Sequence, residues 1–337
     1  MSLWNELPIE LLLEKKLKKE LGEHLGRERY SDYVIARREL LENMLGEIKG
    51  KEPNLSDHGP DHIADVLTKT FELLGEQKGQ LSATELYILC LSILFHDVGN
   101  FDGRKKHNQK IAKFYDLVRK KEPRFSSERA AVLAITRAHT GFCSEGSNDT
   151  LKELLSHGVF SKPVDYKPIA ALLRFADELA EGPQRTSSFM QAFNKYDKDS
   201  LKYHRLANVT DYTVDRKNKR LQVDYSIHIE VEADDTITDG KIPLIDLLKL
   251  INIRISKVNE ELKYCRFYCS YLQQIQEISI TFKFIYKGDY LDLGLPALML
   301  NELVIPGEND SNFCEPNHTA DSIYSKIAEA LGKLSAE

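Results

Sequence analysis

The chain has 337 residues, long enough for two domains, and its 42% hydrophobic and 29% charged content is that of a globular protein. Lys+Arg 46 against Asp+Glu 52 leaves a net charge of -6, a balance that does not announce a nucleic-acid coat or a membrane-surface protein. Local basic clusters can still meet phosphate.

Residues 8–22 set leucines among lysines and glutamates at helical spacing, and 33–48 repeat the pattern through Val34, Ile35, Leu40, Leu41, Met44, Leu45 and Ile48. The stretch 50–54, with its glycine and proline, breaks the chain. A helix is predicted from about 60 to 74. Ser82 followed by Glu85 is a capping-box signature and opens a central helix over 83–96. A polar, glycine-containing loop covers 99–106. Helices over about 107–120, 127–138, 149–156 and 166–180 complete an all-α first domain, 1–184.

The pattern changes past 181–183. Residues 203–214 and 219–232 alternate apolar and polar around a basic turn at 216–220, with Leu221, Val223, Tyr225, Ile227, Ile229 and Val231 on one face of a strand. This reads as a β-hairpin. A helix over about 242–272, a strand over 277–287 and a last helix over 319–334 follow. Region 185–337 is therefore expected to be a smaller α+β domain with an antiparallel sheet and a helix on one face, in a chain that is mainly α. It carries no motif tied to chemistry. Substrate capping, ligand sensing and assembly are all open roles for it.

Cys90, Cys143, Cys265, Cys269 and Cys314 form no zinc-type pair and suit a reducing compartment; Cys265 and Cys269 read as small, half-buried helix residues. No signal-peptide pattern appears. The longest apolar run, 86–95, is shorter than the roughly 20 residues of a membrane span. A cytoplasmic protein is expected.

The apolar run 86–95 ends in His96-Asp97. A buried-looking helix thus delivers two polar side chains that a core accommodates only with a partner, and a divalent cation is one such partner. His62 lies upstream in an apolar helical stripe with Ile63, Val66 and Leu67. Asp177 ends the run Leu172, Leu173, Phe175 and Ala176, where a metal, Arg174 or a helix cap can satisfy it. His107 and His139 stand between.

The stretches His62-Ile63-Ala64-Asp65-Val66, His96-Asp97-Val98-Gly99, Arg137-Ala138-His139-Thr140 and Leu172-Leu173-Arg174-Phe175-Ala176-Asp177 resemble the HD-domain superfamily of metal-dependent phosphohydrolases over roughly residues 30–185. The resemblance implies an all-α HD core with His62, His96, Asp97 and Asp177 as metal ligands. It selects His62 over His58, which is left as a supporting or surface residue. In two-metal members, histidines at the places of His107 and His139 complete a second site; in one-metal members, residues there contact phosphate or water. The second histidine that many two-metal members carry is Thr140 here. One or two divalent ions are thus implied, with Mn, Fe, Zn, Co and Ni all suited to the donors.

The implied chemistry is cleavage of a phosphoester in a nucleotide or related small molecule by a metal-activated water, with Asp97, His107 and His139 in catalytic roles. Arg104, Lys105 and Lys106 either bind substrate phosphate or form a solvated loop. Many relatives carry a lysine where this chain has Asn100, which keeps a second reading alive. In that reading a catalytically degenerate HD protein binds a nucleotide or a protein partner in a regulatory or defence role. A loose resemblance of the layout to HD proteins found beside chaperone-like or defence-system partners points the same way. Di-iron oxygenase chemistry, known in a few relatives, is permitted but not required. A homodimer stays open, and nothing supports nucleic acid as a partner.

Overall fold

The capping box forms as expected: the Glu85 amide donates to Ser82 Oγ at 3.2 Å and the Ser82 amide to Glu85 Oε2 at 2.8 Å. It starts the helix on which the candidate site is built. The computed structural model describes residues 6–52, 54, 56–141, 143, 146–187, 190, 193, 195–240, 242–301 and 316–334. Cys314 lies outside these residues. The chain forms two units, one of 1–180 with 264–273, the other of 181–263 with 274–337.

The first unit is helical. Its helices are α1 (Pro8–Leu21), α2 (Glu23–Asn43), α3 (Ile48–Lys51), α4 (Pro60–Leu74), α5 (Ala83–Phe95), α6 (Ile111–Val118), α7 (Ser126–Ala138) and α8 (Tyr166–Leu179). Helix α5 is apolar on nearly every face and is buried along almost its whole length, as a helix without a polar face must be. It packs against α7, α8, α1, α2 and α4. The centre of this core is therefore the rod that ends in His96.

A buried polar cluster ties the outer helices together. Glu128 of α7 is fully enclosed and accepts hydrogen bonds from Tyr87 Oη at 2.7 Å, Tyr115 Oη at 2.7 Å and Arg119 Nε at 2.8 Å. Arg119 also donates to the Asp32 carbonyl at 2.7 Å. The charge is acceptable in the core because each carboxylate oxygen finds a donor and Arg119 balances it.

Two expectations for this unit are corrected. Residues 149–156 hold a turn at 150–153, not a helix. Their polar groups are used elsewhere: Thr150 Oγ1 donates to the Ala138 carbonyl, Tyr264 Oη accepts from the Leu151 amide, and the Asp149 carboxylate accepts from Tyr264 and Tyr268. The helix expected from 107 begins only at Ile111, because His107–Gln109 is a separate 3-10 turn.

The second unit holds α9 (Lys198–Val209), β1 (Thr210–Asp215), β2 (Arg220–Val231), β3 (Ile237–Thr238), most of α10 (Leu244–Tyr268), β4 (Glu277–Tyr286), β5 (Asp289–Leu291), β6 (Leu298–Asn301) and α11 (Ala320–Leu334). Residues 203–209, expected as strand, close α9, which Asp197 caps by accepting from the Ser200 amide at 2.7 Å. The sheet runs β1-β2-β4-β5, with β3 on β2 and β6 on β4. The β1-β2 hairpin is antiparallel, with Tyr212 opposite Val223.

The expected all-antiparallel sheet is also corrected: β2 and β4 are parallel, with Tyr225 opposite Phe282. Alternation reveals the two faces of a strand but not its direction. Helix α10, about 37 Å long at 1.5 Å per residue, separates the two strands and returns the chain to the starting edge of β2. On the inner face, Ile255 and Val258 of α10 share a small apolar void with Tyr212, Val223, Tyr225, Ile278 and Ile280. Cys265 and Cys269 are buried and unbridged. Among the described residues no helix is long and apolar enough to cross a membrane.

Candidate metal centre

Four helix ends of the first unit meet here. His62 is in the first turn of α4, which Pro60 opens with its preset φ. His96 is the C-cap of α5 and Asp97 follows it. Asp177 is in the last turn of α8. His139 is the C-cap of α7, and His107 begins the short turn after the 99–106 loop. Gly99 lets that turn approach: a Cβ there would lie 2.0 Å from the His107 carbonyl oxygen.

The side chains form two groups that share Asp97. His62, His96, Asp97 and Asp177 each offer an atom within 4.8 Å of the others, and so do Asp97, His107 and His139. Asp97 Oδ2 lies 3.3 Å from His96 Nε2 and 3.5 Å from His62 Nε2. Asp97 Oδ1 lies 3.2 Å from His107 Nε2 and 3.9 Å from His139 Nε2. One carboxylate oxygen thus serves each group. Asp177 Oδ1 closes the first group at 3.1 Å from His62 Nε2 and 3.6 Å from His96 Nε2. Asp177 is 27% exposed while the other side chains are nearly enclosed, so solvent enters on its side.

The donor set fits a divalent cation. His96, His107 and His139 each place Nδ1 against a backbone carbonyl three residues earlier, at 2.7, 3.2 and 2.5 Å. That carbonyl can only accept, so the proton sits on Nδ1 and the Nε2 lone pair faces inward, the tautomer a metal ligand needs. His107 Nε2 and His139 Nε2 then face each other at 3.4 Å, an arrangement that wants a cation or a proton between them. Both ring nitrogens of His62 and the Nε2 of His96 are buried without an aligned hydrogen bond.

Charge points the same way. Burial pushes the His96 imidazole down, but Asp97 and then Asp177 outweigh it and raise it to about 10. Burial would raise both carboxyls, yet His96 and His58 hold Asp97, and His62 and His96 hold Asp177, well below the usual carboxylate range. His139 is pushed down to about 4 by burial and the His96 charge. The carboxylates of Asp97 and Asp177 thus favour a positive charge beside His96 Nε2, which a divalent cation would supply in place of a second imidazole proton.

All six expected ligands are brought together. His58, read as a supporting or surface residue, is buried and places Nδ1 2.6 Å from Asp97 Oδ2. Arg104, Lys105 and Lys106 are exposed and form no ion pair among the described residues; Lys106 has a left-handed backbone, φ 57, just before His107. Asn100 is fully enclosed, and its amide nitrogen and oxygen have no partner among the described residues. The sequence reading missed Asn108, whose amide nitrogen donates to the carbonyls of Arg137 and Thr140 at 3.0 and 3.1 Å. The signal was slight: an asparagine directly after a candidate ligand.

A helical unit that gathers buried histidines and aspartates from several helix ends is an HD-type domain in its layout, with a His/Asp cluster able to hold metal. The chain belongs to the HD-CE family, whose model matches residues 52–263, more than half its length. No curated protein and no solved structure matches it.

Proposed function

We propose that the protein is a metal-dependent phosphohydrolase of the HD superfamily that cleaves a phosphoester of a nucleotide or related small molecule. The observation that carries this reading is the Asp97 carboxylate, with one oxygen toward each His/Asp group. His62, His96, Asp97 and Asp177 would hold one divalent ion, and Asp97, His107 and His139 a second. Bound metal would lower the pKa of its water and polarise a phosphoryl oxygen.

The chain's own residues supply the rest. Asp97 orients the attacking water, and His58 fixes Asp97. The half-buried Asp177 edge admits substrate. Arg104, Lys105 and Lys106, exposed and free of ion pairs among the described residues, meet its phosphate oxygens. Water adds its oxygen to phosphorus, the ester P–O bond breaks, and the leaving oxygen takes a proton.

The test is a hydrolysis screen over nucleotides, cyclic nucleotides and dinucleotides with Mn²⁺, with Asp97→Ala beside wild type and folding matched by circular dichroism. Turnover in wild type that the variant loses is the expected result. Metal-loaded wild type with no turnover on any substrate moves weight to the second reading, nucleotide or partner binding without cleavage. Asn100, where many relatives carry a lysine, favours that second reading.

A further inference from the structure

The two groups are built with different rigidity. The first takes His62 and Asp177 from the regular helices α4 and α8, and His96 and Asp97 from the C-terminal end of α5. In the second, His107 sits on a three-residue turn behind an exposed loop with Lys106 in the left-handed region. Among the described residues no backbone hydrogen bond ties the His107 turn to the end of α7. Asn108 supplies side-chain hydrogen bonds between them. One amide nitrogen donates to the carbonyl two residues before His139, at Arg137, and to the carbonyl one residue after it, at Thr140. The last carbonyls of a helix have no partner within it, so these acceptors are available. Asn108 thereby brackets His139 while its own backbone carries His107. Gly141, at φ +94, leaves room: a Cβ there would stand 3.3 Å from the Asn108 amide nitrogen.

We propose that Asn108 is the positioning residue that assembles the second cation group and decides whether that group is filled. The inference rests on the two-ion reading given above. It makes the second ion the labile one, since the short turn that carries His107 is tied to the end of α7 through the Asn108 clamp. The first ion does not depend on Asn108.

Asn108→Asp and Asn108→Ala test this. Aspartate keeps the shape, but its ionised carboxylate cannot donate and faces two carbonyl oxygens. Its added charge would by itself attract a cation, so a loss of the second ion cannot be an effect of charge. Mn²⁺ binding is titrated in the full chain, and electron paramagnetic resonance reports whether two ions are coupled. Wild type is expected to take two Mn²⁺ and give a coupled spectrum. Each variant is expected to keep the first affinity and to bind the second about 10–100-fold more weakly, the usual effect of removing a residue that orients a ligand. Its spectrum becomes that of an isolated ion.

Two ions in wild type with unchanged second affinity in both variants overturn the inference and leave the two-ion reading standing. Equal weakening of both ions also overturns it, because Asn108 would then be merely structural. A single ion in wild type overturns the two-ion reading itself, and the inference with it.

Discussion

His58 gives a sharp test of how the centre is held. Its Nδ1 lies 2.6 Å from Asp97 Oδ2, both groups are buried, and Asp97 serves both His/Asp groups. Replacing His58 by alanine removes a charge-assisted hydrogen bond that orients the Asp97 carboxylate. Loss of such an outer partner typically costs about 10–100-fold in metal affinity, roughly 1.4–2.8 kcal/mol. Because the lost partner acts through Asp97, both ions should weaken. Asn108→Asp, by contrast, should spare the first. The assay is competition for Zn²⁺ or Mn²⁺ against a chromophoric chelator, with His58→Asn as a variant that restores a donor. Unchanged affinity in His58→Ala would refute the reasoning, since Asp97 would then be oriented without His58.

Three further outcomes follow from the same geometry. Glu128→Ala should destabilise the first unit by about 3–5 kcal/mol, because it strands the buried Arg119 charge and two tyrosine hydroxyls; urea unfolding measures it, and a change under 1 kcal/mol would contradict the account. Gly99→Ala should displace the His107 turn and weaken the second ion more than the first, read in the same Mn²⁺ titration. Metal affinity should rise with pH: His96 is raised to about 10, so between pH 7 and 9 a binding ion must expel its proton, and apparent affinity should climb about tenfold per unit and flatten above 10. Calorimetry in two buffers of different ionisation enthalpy counts that proton; a flat profile would show His96 already neutral.

Much of the centre was legible because its ligands sit in unusual local contexts. His96-Asp97 ends an apolar helix, and Asp177 ends another; a polar residue in such a place announces a partner. The Ser82–Glu85 cap was legible because its partners are three residues apart. What was not legible depends on distant partners. Residues 149–156 hold a turn instead of a helix because their polar groups bond to Ala138, Tyr264 and Tyr268. The Asn108 clamp spans 29 and 32 residues of sequence. His58 had two readings from spacing, and only its distance to Asp97 chose between them. The direction of β4 was hidden because an alternating pattern reads the same both ways.

The claim at the centre of this account is that the His/Asp cluster is a metal site, and anomalous diffraction from crystals grown with Mn²⁺ or Zn²⁺ tests it most directly. The account predicts one peak bounded by His62, His96, Asp97 and Asp177, at ligand distances of roughly 2.0–2.3 Å, and a second bounded by Asp97, His107 and His139. Stoichiometric metal in the protein with its peaks away from these residues would contradict it.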